Sequence, residues 1–270
     1  MNKTMYNFIS SAQNPKIKHL LQLQQKSSLR RDEQLFVAEG ARELSRLIKA
    51  GFDIDSIFFC PSILGKGSWA SLPSEFPSTA RCFEVSEEVY NRIAYREGTE
   101  GVIAEVKTRD LTLNALPEKK DALYVVMESV EKPGNLGAVL RSADACGADA
   151  VIVCDPLTDI WNPNLIRNST GAIFSVPCIA CSSRECISFL KERGVRILTA
   201  QLQDSQLYYD TDMRCATAIV LGTEATGLTQ IWREAADAHI RIPMLGMLDS
   251  LNVSVSAAIL MFEALRQRNG

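Results

Sequence analysis

Histidine occurs only twice in the 270 residues, at His19 and His239, and its scarcity leaves few routes to a metal site. Of the eight cysteines only Cys178, Cys181 and Cys186 lie close together in sequence, and no second CxxC supplies the missing ligands. No metal is therefore expected, and the remaining thiols, such as Cys154 in the run Val151–Cys154, read as small buried hydrophobes. No stretch approaches the roughly 20 apolar residues that a bilayer crossing needs, and residues 1–25 lack the apolar centre of a secretory signal. A cytoplasmic protein without a membrane partner is expected. Internal repeats and low-complexity tracts are absent, as are the Walker pattern of nucleotide hydrolases and the G-x-S-x-G elbow of serine hydrolases. The net charge of −3 excludes a protein that coats nucleic acid indiscriminately.

Locally the charge differs. Residues 1–31 hold six basic side chains and no acidic one. Lys16, Lys18, Lys26, Arg30 and Arg31 belong to this segment and are candidates for phosphate contact. With 46% hydrophobic residues the chain is long enough for two cores. The polar stretch 108–121, TRDLTLNALPEKKD, separates them as a linker. Before it, strands at 35–37, 54–60, 80–85 and 101–107 alternate with helices beginning near Pro15, Ala41 and Glu87. After it, short apolar runs at 123–127, 150–154, 195–200, 218–221 and 239–242 have the texture of buried parallel strands. A last helix, from about Ser250 to Gln267, is apolar on several faces, and one of them is expected to meet a second subunit.

Three clusters rich in glycine and polar residues carry the chemistry: GNLGAVLRSADACG at 134–147, LGTEATGL at 221–228 and IPMLGMLDSLNVSVSAA at 242–258. The second and third contain no His, Cys or Lys to act as a base, so such a site works by bringing two substrates together. In the first, a strand runs into a turn at 133–137 that opens a helix, which puts Asn135 at the ligand-binding edge of an α/β sheet. Arg141 follows six residues later and either grips a phosphate or carboxylate or pairs with Asp144. Asp155 ends the next strand about where a Rossmann ribose-binding acid sits, but the glycine pattern here is G-x-x-G and not G-x-G-x-x-G. In the second, Gly222 and Gly227 permit positive φ, and Glu224 lies between them. In the third, Ser250 is a candidate N-cap, whereas Asn252 in a first helical turn gains little without a partner for its amide.

In this order and at these separations, N-x-G-x-x-x-R at 135–141, LGTE-x-x-GL at 221–228 and SLNVSV at 250–255 resemble the three motifs of the SpoU (TrmH-type) RNA ribose 2′-O-methyltransferases of the SPOUT superfamily. Residues 8–107, with ISSAQNPKIKHLLQL and LFVAEGARE, resemble the amino-terminal RNA-binding domain common in these enzymes. The resemblance implies an α/β protein: a smaller α/β RNA-binding domain at 1–107, the linker, and an α/β trefoil-knot domain at 122–270. It also implies a homodimer that uses S-adenosylmethionine to methylate structured RNA, ribosomal in preference to transfer RNA. Carried over by motif, Thr199, Ala200, Gly222, Ile242, Met244 and Leu251 bind the cofactor, and Asn135, Arg141, Glu224, Ser250 and Asn252 form the catalytic group. Ser256 stands where alanine is frequent. Arginine is a poor base, so a proton-accepting role for Arg141 requires an adjacent phosphate. The competing readings are a non-catalytic RNA-binding assembly factor on the same scaffold and a Rossmann oxidoreductase.

Overall fold

Asn14, Ser86, Asn162, Ser182 and Asn252 each precede a helix and turn a side-chain oxygen onto a first-turn amide. These caps satisfy N–H groups that a helix cannot satisfy internally, and so fix where the helices begin. The computed structural model describes residues 6–65, 71–95, 100–223 and 227–270. Two compact units emerge, one of residues 1–109 with 161–174, the other of residues 110–160 with 175–270.

In the first unit, β1 (Asn7–Ile9), α1 (Pro15–Gln25), α2 (Ser27–Glu33), β2 (Leu35–Glu39), α3 (Ala41–Lys49), β3 (Ile54–Phe59), α4 (Pro61–Leu64), β4 (Arg81–Val85), α5 (Glu87–Ile93) and β5 (Val102–Lys107) follow in turn. The strands form one mixed sheet in the order β1-β4-β3-β5-β2. Ile17, Leu20 and Leu23 recur every three residues along α1, and all three are completely buried in a core with Val37, Phe58 and Ile103. Residues 161–174, which include the short helix Pro163–Asn168, join this unit through aromatic contacts. Trp161 stacks on Phe36 with ring centroids 4.5 Å apart, and Phe174 meets Phe52 edge-on at 5.4 Å. Arg46 adds a hydrogen bond from Nη1 to the Thr170 carbonyl, 2.6 Å.

The second unit contains β6 (Leu123–Glu128), α6 (Pro133–Cys146) and β7 (Ala150–Cys154), after which the chain makes the excursion through α7 (Pro163–Asn168). It resumes with β8 (Cys178–Cys181), α8 (Ser183–Glu192), β9 (Arg196–Ala200), β10 (Gln206–Leu207), β11 (Thr217–Leu221), α9 (Gln230–Ala235), β12 (Ala238–Arg241) and α10 (Val253–Asn269). Its seven strands are all parallel, in the order β10-β12-β9-β11-β6-β7-β8. Every residue of β7 and β11 is buried, as expected of a parallel sheet covered on both faces. Pro133 starts α6 as its first helical residue, where its missing N–H costs nothing, and Gly147 at φ 72° ends it. Consequently Asn135 and Arg141 are both helical, and the turn expected at 133–137 is already the first turn of α6.

α10 begins at Val253, and Asn252, not Ser250, is its N-cap. This accounts for an asparagine at a position that looked unfavourable inside a helix. The helix packs against α6 and β11. Its far end is fixed by Arg268, which donates to the carbonyls of Asp121, Ala122, Met213 and Cys215. No helix among the described residues is long and apolar enough to cross a membrane.

Candidate active site

A cavity of about 340 Å³ opens at the carboxyl ends of β9, β11 and β12, closed on one side by the loop 242–251 and the start of α10. Crevices at this edge of a parallel sheet are the usual ligand sites of open α/β folds. Ala200, Gly222, Ile242, Met244 and Leu251 all line it, as does Ser250. Thr199 does not. It is fully buried one residue back in β9, and its hydroxyl is bonded to Nδ1 of the neighbouring His239 at 2.6 Å.

Gly222 is required here for space and not for a positive φ, which among the two glycines of this loop only Gly227 adopts, at 67°. A side chain on Gly222 would overlap the carbonyl of Gly227 and lie 2.6 Å from the amide nitrogen of Leu228. The far side of the loop is tied down by Glu128, a buried carboxylate at the end of β6 that accepts hydrogen bonds from the Thr229 amide (2.9 Å) and hydroxyl. Glu128 escaped notice in the sequence, where the only signal was an acid ending an otherwise apolar strand. Glu224 lies outside the described residues.

Two polar atoms belonging to residues in the cavity wall, Nε of Arg233 and Oε1 of Gln201, are buried without a hydrogen-bond partner among the described residues. Leaving such groups unsatisfied costs about 1–3 kcal/mol each.

Polar residues from the first and third motifs meet beside α10. Asn252 donates from Nδ2 to Oδ1 of Asn135 at 3.2 Å, while its own Oδ1 accepts from the Ser254 amide (3.0 Å) and hydroxyl (2.6 Å). The cap thus fixes the rotamer and leaves the amide group of Asn252 facing Asn135. The Ser250 hydroxyl lies 3.3 Å from Oδ1 of Asp249. Arg141 is exposed and has no hydrogen-bond or ion-pair partner among the described residues. The alternative partner, Asp144, instead accepts a 2.6 Å hydrogen bond from Ser175. Six residues on from Asn135, Arg141 sits about 9 Å further along α6 and roughly 120° around it. Asp155 is likewise engaged, accepting from the Ser183 hydroxyl at 2.6 Å, so it holds the start of α8 and does not face a ribose site.

The model of the SpoU rRNA methylase family matches residues 122–262, more than half of the chain. The chain belongs to the SpoU rRNA methylase family. A second model, that of the MRM3-like substrate binding domain, matches residues 14–104. Among SpoU relatives, the 23S rRNA (guanosine(2553)-2′-O)-methyltransferase RlmP of Bacillus subtilis is 28% identical over 94% of this chain and 97% of its own length. A crystal structure of an RNA 2′-O ribose methyltransferase is 40% identical, covering 97% of this chain and all of that one, with a TM-score of 0.85. The SpoU methyltransferase AviRb from Streptomyces viridochromogenes, solved in complex with the cofactor AdoMet, is 26% identical over 95% of this chain and 99% of that one, with a TM-score of 0.88.

Within the amino-terminal part of this SpoU chain the basic residues separate by role. Lys18, Lys26 and Arg31 are exposed, and Lys16 lies over the Phe83 ring with Nζ 4.8 Å from its centroid. Arg30 is not available to a phosphate. It is 3% exposed, and Nη1 donates to the carbonyls of Leu23 (2.6 Å) and Gln24 (3.3 Å), closing the carboxyl end of α1.

Proposed function

We propose that this chain transfers a methyl group from S-adenosylmethionine to a ribose 2′-hydroxyl of ribosomal RNA. The observation that carries the reading is the bonded pair Asn135–Asn252 on α6 and α10, next in sequence to Ser250 and Leu251 in the cavity wall. Relatives named as 23S rRNA 2′-O-methyltransferases, and a similar structure holding AdoMet, point the same way.

The cavity residues suit that cofactor. Ala200, Gly222, Ile242, Met244 and Leu251 offer apolar and main-chain surface, with Thr199 as support behind them. The cofactor, when bound, supplies a methyl group on a sulfonium sulfur. What the chain contributes is position: holding two reactants in an attack geometry can be worth roughly 7–11 kcal/mol. Asn135, Asn252 and Ser250 orient the ribose, and Arg141, exposed and unengaged, grips an RNA phosphate with its planar fork. Glu224 completes this group.

Residues 1–107, joined by the linker 108–121 to the methyltransferase part at 122–270, present Lys16, Lys18, Lys26 and Arg31 to the RNA. We further propose a trefoil knot, supported by the likeness of the fold to solved SpoU methyltransferases. A homodimer is supported by the apolar side chains that α10 leaves uncovered, Val255 and Phe262, each 46% exposed. Eight free cysteines fit a reducing, cytoplasmic setting.

Mapping ribose methylation on total RNA from cells with and without the gene tests the activity: one site lost from ribosomal RNA is expected, and an unchanged map overturns it. For the dimer, sedimentation at micromolar concentration should give twice the chain mass, and Phe262→Asp should give the monomer. A monomeric parent chain would refute the pairing.

A further inference from the structure

Thiols from three separate elements converge at the opposite edge of the second unit's sheet. Cys154 closes β7, Cys181 closes β8 in register beside it, and Cys186 lies one turn into α8. Their Sγ atoms all fall within 4.8 Å of one another. Cys154 and Cys186 are buried, while Cys181 is half-buried and borders a second cavity, of about 540 Å³, also lined by Arg184, Glu185 and Ser188. The surrounding turn is braced: Asp155, directly after Cys154, accepts from Ser183, whose oxygen in turn accepts from Nε1 of the fully buried Trp232 at 2.9 Å. Cys178, which the sequence groups with Cys181 and Cys186, is not part of the cluster.

We propose that Cys154, Cys181 and Cys186 bind one zinc-class metal ion, with its fourth coordination position open toward this cavity. Tetrahedral zinc with sulfur at about 2.3 Å sets sulfur atoms roughly 3.8 Å apart, so the three side chains need to close by about 1 Å at most. The amino terminus of α8, directly after Cys181, favours the negative charge of a metal-bound thiolate. Metal binding expels the thiol protons, so affinity rises with pH. Cys154 stands 27 residues before Cys181, which is why a spacing search misses the site.

The full chain, stripped of metal under reductant, should be titrated with Cd²⁺ while thiolate-to-metal absorption is followed, and with Zn²⁺ while unfolding temperature is followed. One equivalent of Cd²⁺ saturating the signal, and a higher Tm with Zn²⁺, are expected. Cys181→Ser and Cys186→Ser should each weaken Cd²⁺ binding by at least roughly tenfold, whereas Cys215→Ser, at an exposed cysteine, should not. No charge-transfer signal at one equivalent overturns the proposal. A disulfide within the cluster in protein purified without reductant overturns it too, since the thiols would then serve redox chemistry. Should the serine variants fail to fold, the titration of the parent chain decides alone.

Discussion

Gly222→Ala should abolish measurable S-adenosylmethionine binding. The added methyl group has nowhere to go, because the carbonyl of Gly227 and the amide of Leu228 occupy its place and main chain cannot swing aside as a long side chain can. The loop must shift, and Glu128, clamped to Thr229, resists the shift. Overpacking of this kind costs about 1–3 kcal/mol of stability. Since the loop forms a wall of the cavity, most of that cost should appear in binding, a loss of affinity of about 100-fold. Calorimetric titration with the cofactor, beside a thermal melt, separates the two effects. Parent-like affinity in a folded variant would show that the cavity at the ends of β9, β11 and β12 is not where the cofactor binds.

Arg141→Ala should behave in the opposite way. With no partner among the described residues, Arg141 contributes little to the fold, so the melt and the cofactor titration should match those of the parent. Turnover on RNA should fall by roughly 100-fold, the scale on which a lost positioning contact misplaces the reacting groups. Arg141→Lys should recover only part of the loss, because an ammonium keeps the charge but not the two-pronged grip on a phosphate. Near-normal single-turnover rates for the alanine variant would remove Arg141 from the chemistry. Weakened cofactor binding would assign it to the cavity instead.

Much of this was legible in the residues. Apolar runs such as Ala150–Cys154 announce buried parallel strands because both faces must be covered, and the asparagine and serine caps locate helix starts by purely local chemistry. The three motifs indicated which side chains to examine, and Asn135 and Asn252, 117 residues apart, do meet. What escaped was whatever depends on a distant neighbour. Arg30 reads as one more surface cation until the carbonyls ending α1 are seen to take it. Gly222 reads as a position free to take a positive φ until the returning main chain is placed against it. Strands as short as Asn7–Ile9 and Cys178–Cys181 carry too few residues for alternation to register.

The excursion of residues 161–174 has a practical corollary. Backbone runs between the two units not once but three times, near 109–110, 160–161 and 174–175. An engineered two-piece version divided at the linker would sever only the first of these links. Its amino-terminal fragment would lack the indole that covers Phe36, and the other fragment would carry that indole away on a loop stripped of its aromatic seat. The natural seams of this molecule therefore do not coincide with any single break in its gene.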